Sequence, residues 1–300
     1  MHSGDGHDKR LAVSIGLNLL ITIAEVVGGI LSGSLALLSD ALHNFNDTVS
    51  QAISYAARFV ARRDADSRLT FGYGRFEVVA AFFNLVTLFL VALLLAKEGF
   101  ERLFDPQPVR GGLMLAVAAV GLLVNVLSAL LLRGGARHSL NIKSAYLHIV
   151  TDAISSVAVI AGAILMLQFG FRRVDPVLTI LISVYIMVQG YGMLRKTTGI
   201  LMNSTPPWID LDEVTRTIAE TDGVRETHHV HVWLMEERSA ALEAHVVIDR
   251  EDMEAMERIK HRIKERLESD FGIRHSTLEF EHQGIVDTSN CEDVHGSVGA

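Results

Sequence analysis

The sequence predicts an α-helical membrane protein of six transmembrane helices followed by a small soluble α+β domain of ferredoxin-like type, and three observations carry that prediction. Apolar windows long enough to cross ~30 Å of hydrocarbon fall at 11–32, 36–60, 76–100, 111–132, 145–169 and 175–202. The charge then changes character, from a net +4 over residues 1–206 to a net −12 over residues 207–300. Finally, the pattern S-L-x3-S-x2-L-H-x3-D-x2-S starts at Ser34 and again 105 residues later at Ser139, as expected of a duplication inside the apolar part. With 49% hydrophobic residues in 300 and a positive mean hydropathy, the chain exceeds what a soluble globule of this size carries.

Residues 1–10 are polar and run into the first apolar window without a small-residue cleavage signal, so they read as an uncleaved N-terminal segment. Counting Lys and Arg in alternate connections gives 12 on the side that holds both ends of the membrane part and 5 on the other. The positive-inside bias therefore places the N-terminus and the acidic tail in the cytoplasm. Two repeats of three spans cross in opposite senses, a 3+3 inverted repeat of the kind that puts a substrate near the midplane. Pro206 and Pro207 cannot continue a helix, which bounds the membrane domain at 11–205 and opens a second domain at 206–283.

In that second domain, 209–221 reads as an amphipathic helix with Leu211, Val214 and Ile218 on one face. Residues 224–235 and 241–248 read as strands, 253–267 as a helix and 277–282 as a third strand. The order α-β-β-α-β suggests a two-layer sandwich. Residues 284–300 lack periodicity and read as a disordered tail. The single cysteine, Cys291, excludes an intrachain disulfide, and no basic patch for nucleic acid is present.

Each motif copy sets an imidazole and a carboxylate four residues apart: His43 with Asp47, and His148 with Asp152. At that spacing both lie on one helix face, about one turn apart. Two such helices facing each other offer two nitrogens and two oxygens at one point, a tetrahedral site for a zinc-type ion. The spacing alone is weak, since a third copy occurs at His245 and Asp249. Its position inside membrane spans gives it weight, because ionisable groups there mark transport or proton paths. Polar helix-to-helix bonding is the plainer use of the same groups, and it is the expected role of Glu25, Asn84 and Asn125. Asp40, three residues before His43, is placed to shape the ion's path or to accept the second imidazole N–H.

Seven of the 13 histidines fall between 228 and 282. His228, His245 and His282 sit at strand positions where a sheet could gather them around a metal, although surface or core histidines would give the same count. His261, among Arg and Lys on the helix, reads as part of a solvated face.

Taken together, Ser34-Leu-Ala-Leu-Leu-Ser-Asp40-Ala-Leu-His43 through Asp47, Phe71-Gly-Tyr-Gly-Arg-Phe-Glu77, Leu147-His148-Ile-Val-Thr-Asp152 and His228-His-Val-His-Val-Trp233 resemble the cation diffusion facilitator family, in its bacterial zinc-exporting branch. The resemblance implies a homodimer in the inner membrane, with cytoplasmic ferredoxin-like domains, that exports Zn2+ in exchange for protons. It also implies a transport site at His43, Asp47, His148 and Asp152 and a tail site at His228, His245 and His282. Some members carry histidines in the loop after the second span. Here residues 62–75 contain none, which leaves Asp64 and Asp66 as the candidates for a second membrane-proximal site. Cd2+, Co2+ and Ni2+ suit the same donor set. Two other functions fit the residues: an intramembrane metalloenzyme, for which no H-E-x2-H is present, and a membrane-bound metal sensor built on the His-rich tail.

Overall fold

The computed structural model describes residues 4–61, 63, 65–133, 140–236, 239–249 and 253–282, with side chains over the same residues except 4–15, 51, 54, 55, 57, 58, 61 and 140–145. Asp64, Ser139, the 284–300 tail and Cys291 lie outside the described residues. The chain forms two compact units, one of residues 1–58 with 80–195 and one of residues 59–79 with 196–300.

Six long helices make up the apolar part: α1 (Gly4–Ser32), α2 (Leu35–Ala61), α3 (Arg75–Phe104), α4 (Gly111–Arg133), α5 (Leu140–Phe169) and α6 (Val174–Leu201). Each covers one expected apolar window, and α1 starts seven residues before residue 11. Among the described residues, α3, α4, α5 over Tyr146–Phe169 and α6 are long and apolar enough to cross a membrane, while α1 has a shorter apolar stretch, Gly16–Ser32. The side-chain distribution reverses that of a soluble protein: Phe83, Leu94, Leu123 and Val188 face outward, whereas Glu25, Asp40, Asn44, Asn125 and Asp152 are buried. Lipid is the solvent that such a surface suits.

Small residues let the helices approach. A Cβ at Gly162 of α5 would lie 2.3 Å from Leu178 of α6, and α4 packs along both α1 and α5. Between α1 and α2 the chain reverses at Gly33, whose φ of 76° suits glycine. The next helix is capped from a distance. Asp175 at the start of α6 accepts from Ser34 Oγ at 2.5 Å, Leu35 N at 3.0 Å and Ala36 N at 3.3 Å, occupying donors that the first turn of α2 leaves open. Arg102 donates to the Gly33 carbonyl at 2.9 Å. This fixes the register of α2 and so the depth of His43 and Asp47.

The other unit contains α7 (Leu211–Ala219), β1 (Val224–Glu236), β2 (Ser239–Ile248), α8 (Met253–Phe271) and β3 (His275–His282), the expected α-β-β-α-β order. β1 pairs antiparallel with β2, and β2 pairs parallel with β3 through the α8 crossover, giving the ferredoxin-like two-layer arrangement without its first strand. Both helices cover one sheet face, where Val214, Ile218, Leu242, Val246, Ile259, Ile263 and Leu267 form the core. Asp210 caps α7 by accepting from Asp212 N and Glu213 N. At the end of α8 Gly272 takes φ 70° and its N–H bonds the Glu268 carbonyl at 3.0 Å, an αL close.

The 65–75 segment belongs to this unit. Asp66 accepts from Arg68 N, Leu69 N and Tyr73 OH at 2.7, 2.8 and 2.7 Å, so its carboxylate shapes a turn. These three donors hold its pKa below the usual carboxylate range, the Tyr73 hydroxyl contributing most. Arg75 donates to Asn203 Oδ1 at 2.5 Å and to the carbonyls of Leu234 and Met235 at 3.2 and 3.4 Å.

Candidate metal centres

The second and fifth helices carry the two motif copies, and their polar faces meet. Nε2 of His43 lies 3.7 Å from Asp47 Oδ2 and 3.5 Å from Asp152 Oδ1. Nε2 of His148 lies 2.9 Å from Asp47 Oδ2 and 3.7 Å from Asp152 Oδ2. One ligand atom from each of the four side chains falls within 4.8 Å of all the others. That is the spread of a tetrahedral shell, since ligands about 2 Å from one ion stand about 3–4 Å apart. Among the described residues, the buried Asp47 Oδ2 and Asp152 Oδ1 meet no donor other than these imidazole nitrogens, an arrangement that a cation shared by all four side chains would complete.

The helical i,i+4 spacing explains why each imidazole reaches its own carboxylate, and packing of α2 on α5 supplies the crossed contacts. The His43 ring stands edge-on to Tyr185 of α6 at 6.0 Å and tilted to His148 at 5.8 Å. A cavity of about 310 Å3 reaches the site, lined by His43, Asp47, His148, Thr151, Tyr185 and Gln189 among others. Asp40 is buried beside the site, and the bond made to its carboxylate comes from Ser155 Oγ, the last serine of the second motif copy. The corresponding serine of the first copy, Ser50, accepts from Asn84 Nδ2 at 2.9 Å, which also donates to Asn46 Oδ1 at 2.8 Å. Asn84 thus ties α3 to α2, the packing role expected of it.

In the C-terminal unit a second group forms from His228, His245 and Glu281, again with ligand atoms within 4.8 Å. Glu281 Oε1 lies 2.7 Å from His245 Nδ1, and Glu281 Oε2 lies 3.5 Å from His228 Nε2. Two of the three residues expected from the sequence come together, and the third, His282, does not. Leu278 and Phe280 of β3 pack against the core. Strand alternation therefore places His282 on their face and Glu279 and Glu281 on the other, with His245.

His228 reaches the outer face through a bulge. His228 pairs with His245 and His231 with Glu243, so β1 spends three steps where β2 spends two. The extra residue is His229, at φ 51°. Without it, His228 would share the core face with Val230 and Val232, and the bulge turns it outward. His229 in turn lies 4.8 Å, ring to ring, from His245.

Asp66, a candidate for a membrane-proximal site, has its carboxylate taken up by the turn described above.

Comparison with known proteins identifies the family. Residues 11–202 match the family model described as cation efflux transmembrane domain, and residues 206–283 match that of the cation efflux protein, cytoplasmic domain. The chain is 39% identical over 283 residues to the cation efflux system protein CzcD of Alcaligenes sp. (strain CT14), covering 93% of this chain and 89% of that protein. It is 36% identical to the cadmium, cobalt and zinc/H(+)-K(+) antiporter of Bacillus subtilis (strain 168), over 93% of this chain and 91% of the relative. It is also 36% identical to the zinc transporter ZitB of Escherichia coli (strain K12), over 93% and 89%. The relatives are named as transporters, not as enzymes. Six helices carrying a paired His/Asp site, a small α+β domain and two family matches that together run from residue 11 to residue 283 lead to one conclusion: this chain belongs to the cation efflux family of membrane transporters.

Proposed function

We propose that the protein exports Zn2+ from the cytoplasm in exchange for protons, carrying the ion on His43, Asp47, His148 and Asp152. The observation that carries this reading is the meeting of the two motif copies, with four donor atoms inside 4.8 Å. Two imidazoles favour zinc over Mg2+ or Mn2+, and Cd2+, Co2+ and Ni2+ share the preference. The names of the relatives, which include zinc, cadmium and cobalt, support the same substrate class.

Charge balance supplies the exchange. Zn2+ with two carboxylates and two neutral imidazoles is formally uncharged, so the loaded site tolerates a low-dielectric surrounding. The same oxygens sit 2.9–3.7 Å from the imidazole nitrogens, so a proton on either ring finds its carboxylate partner where the metal would otherwise bind. Zinc and protons thus compete for one set of atoms. An inward proton gradient then drives outward zinc movement as α1–α3 and α4–α6, related as inverted repeats, rock about the site. The working unit is a homodimer in the inner membrane with both termini cytoplasmic. The His228, His245 and Glu281 group, with the acidic C-terminal domain around it, fits a regulatory zinc site.

Zinc flux in proteoliposomes under an imposed pH gradient tests the proposal. Zinc accumulation that rises with the gradient is expected, and flux indifferent to the gradient would reject proton coupling. Asp47→Ala should leave the protein folded and lower zinc flux by at least 100-fold. Normal flux in that variant would reject the site.

A further inference from the structure

Glu25 stands apart from the four ligands, on α1, yet it is 1% exposed. Its Oε2 accepts from Asn44 Nδ2 at 2.9 Å, while its Oε1 and the Asn44 Oδ1 are buried without a hydrogen-bond partner among the described residues. Room for the carboxyl group comes from Gly121 of α4, where a Cβ would lie 2.9 Å from Oε1 and 3.9 Å from Ser156 Oγ. Ser156 Oγ in turn donates to the Asp152 carbonyl at 3.1 Å and receives Asn125 Nδ2 at 3.5 Å. A buried polar cluster therefore lies beside the metal centre. It lies toward the α1–α2 turn, because Asp40 precedes His43 from the start of α2, Ser155 and Ser156 follow Asp152 along α5, and Glu25 is seven residues from the end of α1.

Among the described residues, the titratable groups facing Glu25 are Asp40 of α2 and Asp152 of α5, and α4 presents Gly121. Asp40 and Asp152 are, like Glu25, 3% exposed or less, and among the described residues no Lys or Arg is buried with them. A dication on the four ligands offsets Asp47 and Asp152. It leaves Glu25 and Asp40 with neutral partners, Asn44 and Ser155, and two uncompensated carboxylates in such a setting cost far more than binding a proton.

We propose that Glu25 is a proton-carrying group of the transport cycle, separate from the metal ligands, exchanging its proton within the buried polar cluster of Asn44 and Ser156 for which Gly121 makes room. The inference rests on the zinc/proton exchange proposed above and adds a second place where the counter-ion resides. The step is a proton transfer only: the carboxylate oxygen takes a proton from water on the α1–α2 side and returns it to water on the opposite side as the helices move, with no other bond made or broken. A carboxyl group serving only to tie α1 to α2 would need no such exchange.

The test is the number of protons moved per zinc, read together by a pH dye and a zinc dye in proteoliposomes of the full chain. Glu25→Gln keeps the shape of the side chain and the bond from Asn44. It should retain zinc binding within threefold, move about one proton fewer per zinc, and show a flatter dependence of flux on the pH gradient. Glu25→Asp should restore the ratio at least in part. A wild-type ratio and pH dependence in Glu25→Gln would overturn the proposal. Wild-type protein that moves zinc without protons would instead overturn the exchange reading itself, so the two failures are distinguishable. If Glu25→Gln does not fold, Gly121→Ala crowds Oε1 directly, and an unchanged ratio in that variant overturns the proposal equally.

Discussion

A carboxylate oxygen in an apolar interior is stable when a hydrogen-bond donor or a positive charge faces it. Asp175 meets that condition with three donors from the start of α2, while the exposed Asp66 collects three donors in its own turn. Asp47 and Asp152 instead turn their oxygens toward the imidazoles of His43 and His148, which sets them apart from the carboxylates of Asp175 and Asp66. The same distinction yields a prediction for the C-terminal group. In an Asp152→Ala background, where the membrane site no longer reports, Glu281→Gln should weaken zinc binding at least tenfold in competition titrations, and His282→Ala should change it less than twofold. For Asp66, whose folded pKa is depressed by Tyr73 and by the Leu69 and Arg68 amides, the ionised carboxylate supports the turn above about pH 4. That support is lost as the pH falls through the depressed value. Tyr73→Phe should move the loss of Leu69 amide protection to higher pH, measured by hydrogen exchange corrected for intrinsic rates; an unmoved profile would deny the hydroxyl its role.

At the scale of elements, periodicity explains both what the sequence reveals and what it hides. The i,i+4 spacing of His43 with Asp47 and His148 with Asp152 needs only a helix to be read correctly, and the apolar windows locate those helices within a few residues at most ends. Strand alternation, applied through Leu278 and Phe280, already puts Glu281 rather than His282 beside His245. Choosing residues by type rather than by face hides it. The bulge at His229 is different, because a one-residue insertion in the pairing leaves no mark in the hydrophobic pattern and yet decides where His228 points. The cap on α2 is hidden too, since Asp175 lies 141 residues from Ser34 and only packing brings them together. Asp175→Ala should cost about 1–2 kcal/mol, as loss of a helix cap does, and lower the thermal unfolding midpoint in detergent. An unchanged midpoint would mean that the register of α2 is held by packing alone.

For the whole molecule, the duplication is the organising fact. One polypeptide supplies the same polar motif from two helices, each with two candidate donors, and the four donors of the proposed transport site come together where the two helices meet. Such a site changes when the halves move relative to one another, which is what alternating access requires. The His228, His245 and Glu281 group is drawn entirely from the C-terminal sheet, so the proposed regulatory role can be tested apart from transport. The most direct measurement is zinc X-ray absorption on full-length protein with His228 and His245 both changed to alanine. A single zinc with two imidazole nitrogens and two carboxylate oxygens at about 2.0–2.1 Å, lost in Asp152→Ala, is the predicted result. A shell lacking imidazole, or one that survives Asp152→Ala unchanged, would contradict it.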